Sequence, residues 1–203
     1  MTGERFAEVP GAKNGADRKM ADGGVIVDSA LDFAGAVAGT AAPPEVLADL
    51  RLVTVRYHGF DNLLHEGQLV VHRALAAEIR EIFSLLENRG FPIAGAVPIV
   101  RYGWSDEASM AANNSSAFNY RLVAGTDRLS LHAQGRAVDI NPRRNPVLYP
   151  DGRVAPAGAV YRAGEPGVFA DGDAALRAFV DRGWRWGGHF THVLDRHHFE
   201  KEV

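Results

Sequence analysis

The sequence predicts an α+β fold with a mostly antiparallel sheet, and three observations carry that expectation. Strand-like and helix-like segments follow one another without the regular strand–helix–strand alternation that a parallel sheet requires. Two strand-like runs flank a short turn-rich stretch, the arrangement of a hairpin. One strongly amphipathic helix follows them.

Taken in order, residues 1–48 are rich in Gly and Ala and are interrupted by Gly23-Gly24 and Pro43-Pro44. They hold no lasting hydrophobic period and read as a flexible tail or linker, with a short helix near Ala30–Val37. A single domain is expected over 49–203. Val53, Val55 and Tyr57 alternate with Thr54 and Arg56, a half-buried strand, and Leu69-Val70-Val71 is its hairpin partner beyond the turn-rich Gly59–Gly67. Leu75, Ile79, Ile82, Phe83 and Leu86 share one helical face, which Asn88 to Gly90 ends. Val97 to Tyr102 reads as a strand with Pro98 near its start. Ser105 is placed to cap a short helix reaching about Ala112. Arg136 to Ile140 reads as a strand. Residues 142–166, with five of the ten prolines, read as a long irregular loop of the kind that carries function. A helix over Asp173–Arg182 ends at Gly183, and 192–200 forms a last strand with a turn inside it.

Composition narrows the function. The 203 residues are 46% hydrophobic and 23% charged, the balance of a globular chain with a real core. Twenty-two basic against twenty-five acidic residues give a net charge of −3, and no basic surplus argues for nucleic acid. Cysteine is absent, which removes disulfides, thiolate metal sites and cysteine nucleophiles together. No apolar run approaches the ~20 residues of a membrane span. Arg18 and Lys19 precede a weakly apolar stretch from Val25 to Ala42, but Asp28 and Asp32 interrupt it, so it makes a poor signal peptide.

Four of the eight histidines, His189, His192, His197 and His198, fall in the last fifteen residues. His132 and Asp139 stand seven residues apart. On a straight strand they would lie ~23 Å apart, and on a helix ~10 Å. Gly135 between them permits a tight reversal, which lets both side chains enter one space. Zinc accepts imidazole nitrogen and carboxylate oxygen at ~2.0–2.2 Å and, in catalytic sites, keeps a fourth position open. The histidine-rich terminus can supply the third ligand. In Asp195-Arg196-His197-His198, the spacing lets His198 bind the metal while Asp195 stays free to take a proton from the water the metal activates. His197 and His192 stand as competing ligands, and Asp195 has the alternative of capping a turn or pairing with Arg196.

Ser-x-His-x-x-Gly-x-Ala-x-Asp over residues 130–139, followed by Asp-x-x-His-Phe over 195–199, resembles the zinc D-alanyl-D-alanine carboxypeptidase and L-alanyl-D-glutamate endopeptidase family. Five fixed residues at ~5% each arise by chance in fewer than about one in ten thousand chains of this length. Phe118-Asn119-Tyr120-Arg121 and Gly183-Trp184-Arg185-Trp186-Gly187-Gly188 are similar to segments of its VanY-like branch, so the resemblance spans about residues 50–203. It implies a central, mostly antiparallel sheet flanked by helices, as in the hedgehog-like fold, and a monomer acting on peptidoglycan peptides. It further implies Zn2+ held by His132, Asp139 and His198, with Asp195 as general base and Arg121 as the group that polarises the scissile carbonyl. Ser130 and Trp186 are implied at the substrate. His197 departs from the family, where many relatives carry proline.

The alternatives are stated with these roles. Arg121 has the ordinary reading of a surface or salt-bridged arginine, and Trp186 that of a core residue. His58, His65 and His72 recur every seven residues, but Gly59 and Gly67 break any helix through them, so they read as surface or hairpin residues. Release of terminal D-alanine leads, with L-Ala-D-Glu cleavage, including that of a phage lysis enzyme, as the alternative. A zinc-containing wall-binding domain without catalysis is the third reading. The substrate implies work outside the cytoplasmic membrane.

Overall fold

The structure is a computed structural model and describes residues 19–21, 24–123 and 125–203. Its first sheet is built from the expected hairpin. Strand β1 (Lys19–Ala21) pairs antiparallel with β2 (Val25–Val27). Two short helices follow, α1 (Phe33–Ala36) and α2 (Pro44–Ala48), and then the long hairpin strands β3 (Leu50–His58) and β4 (Leu64–His72). The sheet order is β1-β2-β4-β3. Helix α3 (Ala76–Asn88) lays Ile79, Ile82, Phe83 and Leu86 against Val53, Val55 and Tyr57 of β3, all of them buried. Burial of each such side chain contributes about 1.5–3 kcal/mol.

The second half carries helix α4 (Asp106–Ala111) and strand β5 (Ala137–Asp139). Strands β6 (Val147–Leu148) and β7 (Val154–Ala155) come next, then helix α5 (Ala174–Val180) and strand β8 (Arg185–Trp186). Strands β9 (Leu194–Asp195) and β10 (His198–Glu200) end the chain. Two small sheets result, β5-β10-β8 and β7-β6-β9. One apolar core runs from α3 and β3 to Val138, Phe179, Phe199 and Trp186, with Phe179 and Phe199 stacked at 4.0 Å. Because successive strand residues face opposite sides, anchoring Val138 and Phe199 in this core turns Asp139 and His198 to the other face.

The α+β class and the antiparallel bias are as expected. The strands, however, are shared among three small sheets instead of one central sheet. Part of the expected tail is tied down as well. Residues 1–18, 22 and 23 lie outside the described residues, but β2 pairs parallel with β4, and Ser29 Oγ donates to Gln68 Oε1 at 2.7 Å. The strand expected over Val97–Tyr102 is a 3-10 turn over Ile99–Tyr102, closed by Gly103 at φ +60°. Pro98, without an N–H, leads into that turn and adds nothing to a ladder. The loop over 142–166 contains β6 and β7. His65 and His72 are buried, not superficial, because β4 is covered on both faces: Asp28 and Asp61 flank His65, and the His72 ring accepts from Ala74 N. No helix among the described residues is long and apolar enough to cross a membrane.

Candidate metal centre

Three local structures bring the predicted ligands together. His132 lies in a 3-10 turn over Leu131–Gln134, which Ser130 caps by accepting His132 N–H on Oγ at 3.2 Å. Gly135 ends the turn at φ +66°, a left-handed conformation that favours glycine. A Cβ there would also stand 2.6 Å from His72 N. The chain then enters β5 and reaches Asp139, whose cross-strand partner is His198. Paired residues of antiparallel strands share a face, so the register brings together two side chains 59 positions apart.

Among the described residues, His132, Asp139 and His198 are the group able to hold a metal ion, with one ligand atom from each lying within 4.8 Å of the others. His132 Nε2 is 3.2 Å from Asp139 Oδ2 and 3.1 Å from His198 Nδ1, while His198 Nδ1 is 3.0 Å from Asp139 Oδ1. Ligand atoms at ~2.0–2.1 Å from a tetrahedral ion stand about 3.3 Å apart. The edge between the two ring nitrogens is close to that spacing, and the two rings meet different oxygens of the Asp139 carboxylate.

The surrounding hydrogen bonds say which way the lone pairs point. His132 Nδ1 donates to Ala117 O at 2.5 Å, and His198 Nε2 donates to Glu200 Oε2 at 3.1 Å. In a neutral ring the other nitrogen is then an acceptor. With both rings neutral, two imidazole lone pairs and a buried carboxylate converge with no donor among them, an arrangement that a cation satisfies on all three sides. In its place a proton satisfies one side. Burial works against a charge on His198, but hydrogen bonds to Asp139 and Glu200 prevail and push its pKa up to about 10. Burial also works against ionisation of Asp139, yet the charges of His132 and His197 and the hydrogen bonds from His132 and His198 hold it well below the usual carboxylate range. The residues present fit a divalent cation.

Glu200 was not singled out in the sequence, although its position two residues beyond His198 on a strand places both on one face. It accepts from the ligand ring and pairs with Arg185 Nη2 at 2.7 Å. The bond from His198 and, next to the opposing effect of burial, the nearby positive charges keep its carboxyl low. A carboxylate behind a metal-ligating histidine fixes the tautomer and raises the basicity of the ring.

Asp195 lies on β9, with Gly187 so close behind it that a Cβ would meet the Asp195 carbonyl oxygen. Its Oδ1 is buried, 3.0 Å from His197 Nε2 but out of line for a hydrogen bond. The Asp195 charge contributes to raising the His198 pKa, so the two groups share one electrostatic space. His197, the competing ligand, instead donates from Nδ1 to Asn145 O at 2.9 Å and faces Asp195. Asn145 in turn donates to Gly167 O and accepts from Phe169 N, so a fully buried amide inside the expected loop holds this side of the site.

The remaining expected residues stand differently. Arg121 pairs with Asp106 Oδ2 at 3.0 Å. Trp186 is a core residue that donates to Arg196 O, and its exposed edge walls a cavity of about 390 Å3 that Arg185, His189, Phe190 and His192 also line. Phe190 reaches back to the centre, 6.0 Å from the His198 ring.

Residues 124–201, which contain all three converging side chains and Asp195, match the D-alanyl-D-alanine carboxypeptidase family. The matched segment covers 78 of the 203 residues. No curated protein and no solved structure matches the chain.

Proposed function

We propose that this chain is a zinc-dependent peptidase acting on peptidoglycan stem peptides, with release of a terminal D-alanine as its main reaction. One observation carries the reading: lone pairs of His132, Asp139 and His198 converge inside the segment that matches a peptidase family. Two imidazoles and one carboxylate suit zinc and leave room for reacting groups. When bound there, the ion supplies Lewis acidity, lowering the pKa of water and polarising a carbonyl.

The chain's own residues do the rest. Asp195, with a buried oxygen that lacks a hydrogen-bond donor, takes a proton from the attacking water as its oxygen bonds to the scissile carbon. The peptide C–N bond then breaks, and Asp195 gives that proton to the departing amine nitrogen. Arg121 retains donors beyond those spent on Asp106 and Leu122 O, and offers them to the oxygen on which charge develops. His197, anchored on Asn145 O, keeps Asp195 turned toward the ligand group. Ser130 acts through the turn that presents His132, and Trp186 through the cavity wall beside the centre. The substrate places this work outside the cytoplasmic membrane.

Incubation with defined muropeptides, with and without a chelator and read by mass spectrometry, tests the reading. Loss of one D-alanine, abolished by chelation, is expected. Internal cleavage would move the activity to the endopeptidase alternative, and no reaction at all would sink the proposal. Asp195→Ala should keep the metal while turnover falls by about 10²–10⁴-fold. Undiminished turnover in that variant would assign the base to another group.

A further inference from the structure

Resting on the peptidase reading, a second polar feature of the site carries an assignment of its own. Four buried side-chain polar atoms among the described residues have no hydrogen-bond partner: Asn119 Nδ2, Arg121 Nε, Arg136 Nε and Asp195 Oδ1. A buried polar atom left unpaired is costly, so each one calls for a reason. Arg136 sits apart, facing Glu202. Asn119 and Arg121 belong to one extended segment, and Asp195 lies beside His197.

The backbone shows why. Asn119 N donates to His132 O, Ser130 N to Arg121 O, and Val123 N to Arg128 O, while Leu122 bridges Leu129 antiparallel. These bonds define one register, in which Asn119 stands opposite His132 and Arg121 opposite Ser130. Hydrogen-bonded partners of this kind lie about 5.5 Å apart at Cα, and the chain turns from this pairing into the 3-10 turn that carries His132. Leu122 and Leu129 are exposed, whereas Asn119, Ser130 and His132 are buried. Asn119, 5% exposed, is therefore bonded through its backbone directly to a histidine of the candidate metal group.

We infer that Asn119 is a substrate-binding residue whose carboxamide hydrogen-bonds a backbone amide of the bound peptide. A carboxamide carries a donor and an acceptor and so matches the C=O and N–H of a peptide group, whereas Arg121 beside it suits an anionic oxygen. Nothing within the described residues claims either end of the Asn119 amide. The torsion that carries the amide is broad and two-fold, so a half-turn exchanges its ends at little cost. Peptide-bond recognition is thereby separated from charge recognition on one extended segment.

The test measures binding of a synthetic stem pentapeptide ending in D-alanyl-D-alanine to metal-loaded Asp195→Ala protein by calorimetry, with metal content and thermal unfolding read alongside. Asn119→Ala in that background should weaken binding about tenfold, and the nearly isosteric Asn119→Asp, which exchanges the donor for an acceptor, should weaken it further. Both should retain metal and the parent unfolding temperature. Equal binding in parent and both variants would overturn the inference, as would a loss that tracks metal content or unfolding, since that is a structural role. If the parent binds no peptide, the inference falls too. Muropeptide hydrolysis by the unmutated protein then shows whether the peptidase reading falls with it.

Discussion

Among the described residues, the buried histidine–carboxylate clusters around His65 and around His132 differ in what their lone pairs meet. In the first sheet, His65 is buried between two acids, with Nδ1 2.8 Å from Asp28 Oδ2 and Nε2 3.1 Å from Asp61 Oδ1. Tyr57 adds its hydroxyl proton to Asp28 at 2.6 Å and stacks on the His65 ring. One ring between two carboxylates forms a closed set, since each ring nitrogen has an acceptor before it. The cluster at His132, Asp139 and His198 reverses the ratio: two rings, each with its proton directed outward, share one acid. The same residue types thus build a latch in one place and a group able to hold a cation in the other. The difference lies in the outward partners, Ala117 O and Glu200, not in the presence of histidine.

The largest expected effect breaks the contrast at its root. Purified protein should carry about one zinc per chain, and His132→Ala should lose it together with activity, whereas His65→Ala should leave the metal content unchanged. Metal analysis after gel filtration decides this, and stoichiometric zinc in His132→Ala would remove that residue from the site. The pH dependence has a definite sign. With His198 holding a proton up to about pH 10 in the metal-free protein, the ion must displace it. Affinity should therefore fall about tenfold for each unit of acidification below that value.

The second effect concerns stability. Removing the His65 ring leaves Asp28, a carboxylate that is nearly fully buried, without its imidazole partner. Breaking such a buried pair costs about 3 kcal/mol, taken at the low end because Asp61 is substantially exposed and contributes little. His65→Ala should lower the denaturant midpoint accordingly, measured in chelator so that metal linkage does not enter. Since Asp28 follows β2 and His65 lies on β4, the loss should fall first on the pairing of these strands, read as faster amide exchange over Val25–Val27.

That latch also explains what the sequence hid. The convergence of His132 and Asp139 was legible because their spacing is short and rigid: a capping Ser130, a left-handed Gly135 and a strand place the two with few alternatives. The β3–β4 hairpin and α3 were legible from hydrophobic period alone. Strand β2 was not, since three residues in a Gly- and Ala-rich stretch become a strand only by pairing with β4 far along the chain. Burial of His65 depends on that same pairing, which is why its recurrence with His58 and His72 looked superficial. The 3-10 turn at Ile99–Tyr102 was masked by a β-branched run that propensity favours as strand. Asn119 escaped for a further reason. Its meaning comes from a register with 130–132, and single-chain patterning cannot set a register between segments whose hydrogen bonds form only in the fold.

The smallest effect sharpens the comparison most, because it removes the outward partner and leaves the ligand. Glu200→Gln keeps the length of the side chain and an oxygen able to accept from His198 Nε2, but it removes the negative charge that makes the ring basic. It also loosens Arg185, whose guanidinium bonds Glu200 at 2.7 Å and lies over the Phe190 ring. Loss of such a partner typically weakens metal binding by 10–100-fold, roughly 1.4–2.7 kcal/mol. Glu200→Gln should fall in that range in a zinc competition assay, while the fold and the His65 cluster remain as they were. Arg185→Ala should shift affinity in the same direction by less, since its side chain is largely exposed and its pairing with Glu200 is screened by solvent. Unaltered zinc affinity in Glu200→Gln would mean that the tautomer of His198 is fixed by Asp139 and the ion alone, and the distinction drawn between the two clusters would then rest on His132 and its bond to Ala117 O.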